Sequence, residues 1–130
     1  VKVAVRVRPF NSREKAEGAE LCVSMTRNST KVWSRDPPIE KEFNFDYSYW
    51  SHDGFIEDPT TGILTKDRPG SKYADQQMVF NDVGVDILNN AWEGYHVCLF
   101  AYGQTGSGKS YSIVGYGPNK GVIPIACEEI

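Results

Sequence analysis

The sequence predicts an α/β domain built on a mainly parallel central sheet flanked by helices. Three observations carry this. Residues 2–8, KVAVRVR, alternate apolar and polar side chains, the two-residue period of a strand. Residues 96–102, HVCLFAY, form a short, nearly continuous apolar run, the pattern of a strand covered on both faces. GQTGSGKS follows at once, a glycine-rich turn between that strand and a helix.

In the first strand, Val3, Val5 and Val7 share one face, and Ala4, Arg6 and Arg8 share the other. Pro9 cannot continue a ladder, so the strand ends there. LCVSMT (21–26) and TKVWS (30–34) read as two short strands joined by a turn at RNS. Asp36-Pro37-Pro38 breaks the chain. KEFNFDYSYW (41–50) then alternates as one strand with Phe43, Phe45 and Tyr47 on one side. Residues 51–74 are polar and rich in Gly, Pro, Asp and Thr, and read as a long surface loop. His52, beside acidic residues, reads as a solvated side chain rather than a catalytic one.

A helix comes next, with Asp75 as its N-cap. Phe80, Val83, Ile87 and Ala91 recur at spacings of three and four, and Val79, Leu88 and Trp92 widen that stripe. Gly94 stands where a C-terminal cap glycine belongs.

The composition narrows the class. The chain has 130 residues, 40% hydrophobic and 24% charged, enough for a small globular domain with a core. A net charge of −3 argues against nucleic acid as the main partner. Cys22, Cys98 and Cys127 match neither a metal-ligand spacing nor a disulfide framework, and read as buried thiols in a reducing cytosol. No apolar run approaches the ~18 residues of a membrane span, and no signal peptide is visible. The chain enters a strand directly at Val1 and stops at Ile130 inside a helical pattern, so it reads as part of a longer protein, cut at both ends.

The chemistry is concentrated at Gly103, Gln104, Thr105, Gly106, Ser107, Gly108, Lys109 and Ser110, which fit G-x-x-x-x-G-K-[ST]. Glycines let backbone N–H groups face phosphate oxygens with no Cβ in the way, and a helix N-terminus adds partial positive charge. In such a loop the lysine reaches the β- and γ-phosphates and the serine ligates Mg²⁺. The expected cofactors are therefore Mg²⁺ and a nucleotide that carries β- and γ-phosphates, on a P-loop NTPase fold, with the kind of nucleotide enzyme still open at this point. The bland alternative, a glycine-rich turn with a chance lysine, does not explain why the match lies between a buried strand and a helix start. The helix itself is short: Lys109 to Val114 is under two turns, at ~3.6 residues per turn, before GYGPNKG breaks it. Pro124 suits the first turn of a resumed helix.

Four stretches together make the sequence similar to a kinesin motor domain, most like the kinesin-3 class. VRVRPF (5–10) resembles the family's R-x-R-P adenine motif, and FNFDYSYWS (43–51) resembles its F-x-F-D strand. EGYHVCLFAYGQTGSGKSYSIVG (93–115) resembles its run through strand, phosphate loop and helix start, and GVIPIACEEI (121–130) resembles the segment where that helix resumes. The resemblance implies a microtubule-stimulated ATPase that couples hydrolysis to movement along microtubules, with organelles or vesicles as cargo, in the cytoplasm on the cytoskeleton. It implies base contacts for Arg6, Arg8, Pro9 and Tyr111. Without it, Arg6 and Arg8 read as a solvated strand face and Tyr111 equally as a packed helix residue. Ser110 stands in place of the family's commoner Thr, SIVG replaces a bulkier Met-containing run, and the 51–74 loop is longer than usual.

The family's switch sequences, main microtubule-binding elements and neck linker are not among these residues. The chain thus reads as the N-terminal third of a motor domain, holding the nucleotide grip and no catalytic residue beyond the phosphate loop. On its own it is expected to have exposed sheet edges and not to hydrolyse ATP. Two other classes keep the phosphate loop: a nucleotide-binding switch that drives no movement, and a non-enzymatic module that retains only the fold.

Overall fold

The structure is a computed structural model that describes residues 1–130. It divides into two units, Val1–Asp53 and Gly54–Ile130.

In the first unit, β1 (Ala4–Val7) pairs in parallel with β5 (Tyr47–Trp50), in a register running from Ala4↔Tyr47 to Val7↔Trp50. Between them lie helix α1 (Ser12–Ala16) and an antiparallel sheet of β2 (Val23–Thr26), β3 (Ser29–Arg35) and β4 (Pro38–Asn44). The β2–β3 turn carries Arg27 at φ 55°, and Asp36-Pro37 forms the β3–β4 turn. The chain break expected at Asp36-Pro37-Pro38 is thus a hairpin: Pro38 opens β4 opposite Arg35, and the first residue of an edge strand is a position a proline tolerates.

The single strand expected over 41–50 is two strands in two sheets. The Phe45 N–H still donates to Asn28 at the end of the antiparallel sheet, whereas the Asp46 N–H donates to Val3 beside β1. The Asp46 carboxylate also accepts the Val3 N–H at 2.8 Å, which fixes the crossing point. The aromatic alternation survives on both sides of it: Phe43 stacks on Phe45 and Tyr47 on Tyr49. Buried Thr30 ties the two sheets together, its hydroxyl 2.9 Å from that of Ser48.

The second unit opens on a hairpin, in place of the loop expected over residues 51–74. β6 (Phe55–Glu57) pairs antiparallel with β7 (Leu64–Lys66), and the Asp58 carboxylate accepts the Thr60 and Thr61 N–H groups in the connecting turn. The Ser71 hydroxyl, buried with Tyr73 and Ala74, donates to the Gly54 carbonyl and closes the segment. Helix α2 (Gln76–Val79) is capped as expected, with the Asp75 carboxylate accepting the Met78 N–H at 2.8 Å. It runs through a π-helical turn (Phe80–Gly84) into α3 (Val85–Trp92), and Gly94 ends the helix at φ 90°. The wide turn lets the Phe80 ring lie over Gly84, where a Cβ would come within 2.2 Å of it. After the glycine-rich turn follow α4 (Lys109–Ile113), a hairpin of β8 (Gly115–Tyr116) and β9 (Asn119–Lys120), and α5 (Val122–Glu129). Val79, Phe80, Val122 and Ile125 form the core of this unit with Tyr73 and Ala74.

The run HVCLFAY is not a buried strand in this chain. Residues 95–102 pair with no strand and are exposed, Phe100 to 85%. A central parallel strand exists only between neighbours that satisfy its N–H and C=O groups, and the 130 residues supply none to this run. The cysteines are likewise exposed rather than buried: Cys98 lies in that unpaired run, Cys127 on the open side of α5, and Cys22 just before β2. No helix is long and apolar enough to cross a membrane.

Candidate functional site

The phosphate loop is shaped by its glycines. Gly103, Gly106 and Gly108 sit at φ 150°, 81° and 104°, values that side-chain-bearing residues rarely adopt. Gly103 is also needed for space, since a Cβ there would lie 2.4 Å from the Ser107 hydroxyl. The Ser107 N–H donates to the Gln104 carbonyl at 3.1 Å, so the backbone curls before entering α4 at Lys109. The Lys109 ammonium bends back over this curl and donates to the Gly103 carbonyl and, at 3.2 Å, to the Gln104 carbonyl. Ser110 stands beside it on the first turn, exposed, and Thr105 and Gly106 at the loop's tip are open too. The end of the unpaired 95–102 run and one helix start thus bring the eight sequence-predicted residues into a single turn with a cation folded across it.

The helix break that follows is a compact structure. The Gly121 N–H donates to the Val114 carbonyl, and Gly121 approaches α4 so closely that a Cβ would meet the Ile113 carbonyl at 2.6 Å. Gly115, at φ 80°, leaves equally little room beneath the Asn119 carbonyl. The loop expected at 115–121 is therefore a two-residue-stranded hairpin docked on the end of α4, and Pro124 lies in the first turn of α5 as expected.

Tyr111 is half-buried on α4, its ring 6.0 Å from that of Tyr116, and its carbonyl accepts the buried Gln76 side-chain amide at 2.7 Å. The packed-residue reading of Tyr111 describes this environment.

Arg6, Arg8 and Pro9 belong to the first unit, and all three are half-buried. Neither arginine is a solvated strand side chain. Arg6 donates from Nε to the Ser51 hydroxyl at 2.9 Å. Arg8 holds Glu14 through both terminal nitrogens and donates to the Pro9 carbonyl at 2.7 Å. Hydrogen bonding from Arg8, and then from the Asn11 N–H, lowers the Glu14 carboxyl to about 2, and the same pair raises Arg8. His52, expected to be solvated, packs edge-on against Phe10 and Trp50, and its Nδ1 lies 3.1 Å from the Arg8 carbonyl.

Sequence reasoning missed Glu14, Gln76 and Asn119. For Glu14 a signal existed: Asn11-x-x-Glu14 is a capping box at the start of α1. Gln76 and Asn119 are polar residues in ordinary positions, and no local pattern marks what their side chains reach.

Comparison with known proteins bears on what this turn binds. The family description "Kinesin motor domain" matches residues 6–130. The rat "Kinesin-like protein KIF28" is 53% identical over 131 residues, which span all of this chain and 13% of that protein. The human "Kinesin-like protein KIF1C" is 47% identical over 136 residues, spanning all of this chain and 11% of that protein. Among solved structures, KIF14 residues 391–755 with ADP in complex with a microtubule superposes with a TM-score of 0.81 at 41% identity, covering 99% of this chain and 32% of that one. The chain therefore spans only a small part of the length of the relatives it matches.

Proposed function

The chain belongs to the kinesin motor domain family and is most like its kinesin-3 class, and from that membership we propose that it is the nucleotide-gripping part of a microtubule-dependent motor ATPase. The observation that carries the proposal is the Lys109 ammonium lying across the Gly103 and Gln104 carbonyls, over a turn with glycine at its three left-handed positions. The loop fits a polyphosphate on two counts. A Cβ at Gly103 would press on the Ser107 side chain inside the turn, and the donor set combines a cation, a hydroxyl and the N–H groups of a helix start. Lys109 would hold the β- and γ-phosphate oxygens, Ser110 would ligate Mg²⁺, and the 103–108 backbone would surround the phosphates. ATP with Mg²⁺ supplies the scissile phosphoryl group and the metal that neutralises its charge. Arg8 and Pro9 would lie against the base, with the backbone there held by His52 and the guanidinium by Glu14.

Identity to kinesins along the whole chain, rather than the phosphate loop alone, favours a motor over a nucleotide switch. The KIF14 structure, bound to ADP and a microtubule, supports tubulin as the track and the cytoskeleton as the place of action. Hydrolysis and movement would belong to the intact protein.

The test is Lys109→Ala in the full-length protein. It should abolish tight ATP binding and reduce microtubule-stimulated ATPase by on the order of 10²-fold or more, the scale for losing one preorganised charge-stabilising donor. Undiminished microtubule-stimulated turnover in that variant would overturn the assignment.

A further inference from the structure

A five-residue helix cannot satisfy its own C-terminal carbonyls, because each needs an N–H four residues on. In α4 the Tyr111 carbonyl is taken from outside, by the Gln76 side-chain amide at 2.7 Å. The same nitrogen also reaches the Asn119 carbonyl at 3.3 Å. Gln76 is the first residue of α2 and is 8% exposed. A buried amide is costly unless its donors are used, and an apolar side chain of the same volume would fill this space without that cost. What glutamine adds is a link between two backbones.

Asn119 continues the link. Its side-chain Oδ1 accepts the Leu64 N–H at 2.9 Å, and its Nδ2 donates to the Gly62 carbonyl at 3.0 Å. One amide thus makes both bonds that a neighbouring strand would offer to the end of the β6–β7 hairpin. The chain of contacts runs from that hairpin through Asn119 to Gln76, and from Gln76 to Tyr111, two residues past Lys109.

We propose that Gln76 and Asn119 are positioning residues of the nucleotide site, clamping the helix that carries Lys109 and Ser110 to the 55–66 hairpin. The hairpin thereby becomes part of the frame that sets nucleotide affinity and release. This rests on the reading of the phosphate loop as a nucleotide site.

The experiment uses the full-length protein and Mg·ADP. Gln76→Met keeps the side chain's length and removes its donors. It should raise the Mg·ADP dissociation constant and release rate together by roughly 3- to 10-fold, the scale of one net hydrogen bond, while kcat at saturating ATP changes less. Gln76→Glu, which sets a carboxylate against two carbonyls, should shift both further. Asn119→Ala, which leaves its own carbonyl for Gln76, should act in the same direction and combine with Gln76→Met by less than the product of the two effects. Should Gln76→Met fail to fold, Asn119→Ala carries the test alone. Wild-type protein that binds no Mg·ADP would remove the nucleotide reading itself. Normal wild-type binding, with affinity and release unchanged in folded variants that only melt earlier, would make these groups structural and overturn the proposal.

Discussion

Arg8 grips Glu14 with both of its terminal nitrogens, at 2.6 and 3.0 Å, while the same carboxylate closes the capping box of α1 by accepting the Asn11 N–H at 2.9 Å. One acidic side chain therefore holds both the segment that runs into Pro9 and the helix that follows it.

The pair makes a pH prediction. Glu14 is lowered to about 2 in the fold, from an ordinary value of 4.5, so its contribution to stability is complete above that ordinary value. It is lost as the pH falls from there through about 2. NMR titration of the Glu14 carboxyl in the folded protein should give a midpoint near 2, and Arg8→Gln should bring it back toward the ordinary carboxylate range. A wild-type midpoint already in that range would contradict the bidentate pair.

Two glycines of the short hairpin separate backbone strain from steric exclusion. Gly117, at φ 55°, has nothing within 4 Å of a built Cβ, so Gly117→Ala should cost only the left-handed penalty, about 1 kcal/mol. Gly115, at φ 80°, would place its Cβ 2.0 Å from the Asn119 carbonyl, and Gly115→Ala should cost about 3 kcal/mol or more. Denaturant midpoints of the two full-length variants provide the comparison, and equal losses would mean that β8 does not lie this close to the Asn119–Gly121 backbone.

Ser110 supplies the metal test. Ser110→Ala should raise the Mg²⁺ concentration needed for half-maximal nucleotide retention by about tenfold or more, since even outer-shell changes at metal sites cost that much. Ser110→Thr, which keeps the hydroxyl, should behave as wild type. If alanine and threonine are equivalent in an EDTA and Mg²⁺ titration, the hydroxyl is not a ligand.

Local features of this fold were legible in the sequence wherever a short stretch determines its own conformation. The alternation in β1, the turn at Arg27-Asn28, the Asp75 cap and the glycine spacing of the phosphate loop all act over a few residues. Features set by distant partners were not. Alternation runs unbroken through Phe45 and Asp46, so nothing local marks the change of sheet, which depends on Val3. FIE and LTK are too short and too polar to signal strands, and they pair because Asp58 and Gly62 turn the chain between them. HVCLFAY has the composition of a central strand, but composition supplies no neighbours. In the candidate site, the residues of the glycine-rich loop were readable, whereas Gln76 and Asn119 were not, because what they reach are backbone atoms dozens of positions away.

Lys109 folds back over its own loop. A free lysine side chain samples many rotamers, and fixing one forfeits about 2 kcal/mol of that freedom. Here the ammonium is held by the Gly103 and Gln104 carbonyls. A phosphate bound as proposed would meet a cation that is localised and partly stripped of water, and would exchange neutral acceptors for charged ones. The loop's own carbonyls would then be an internal stand-in for the proposed ligand, and occupancy a substitution rather than an ordering event.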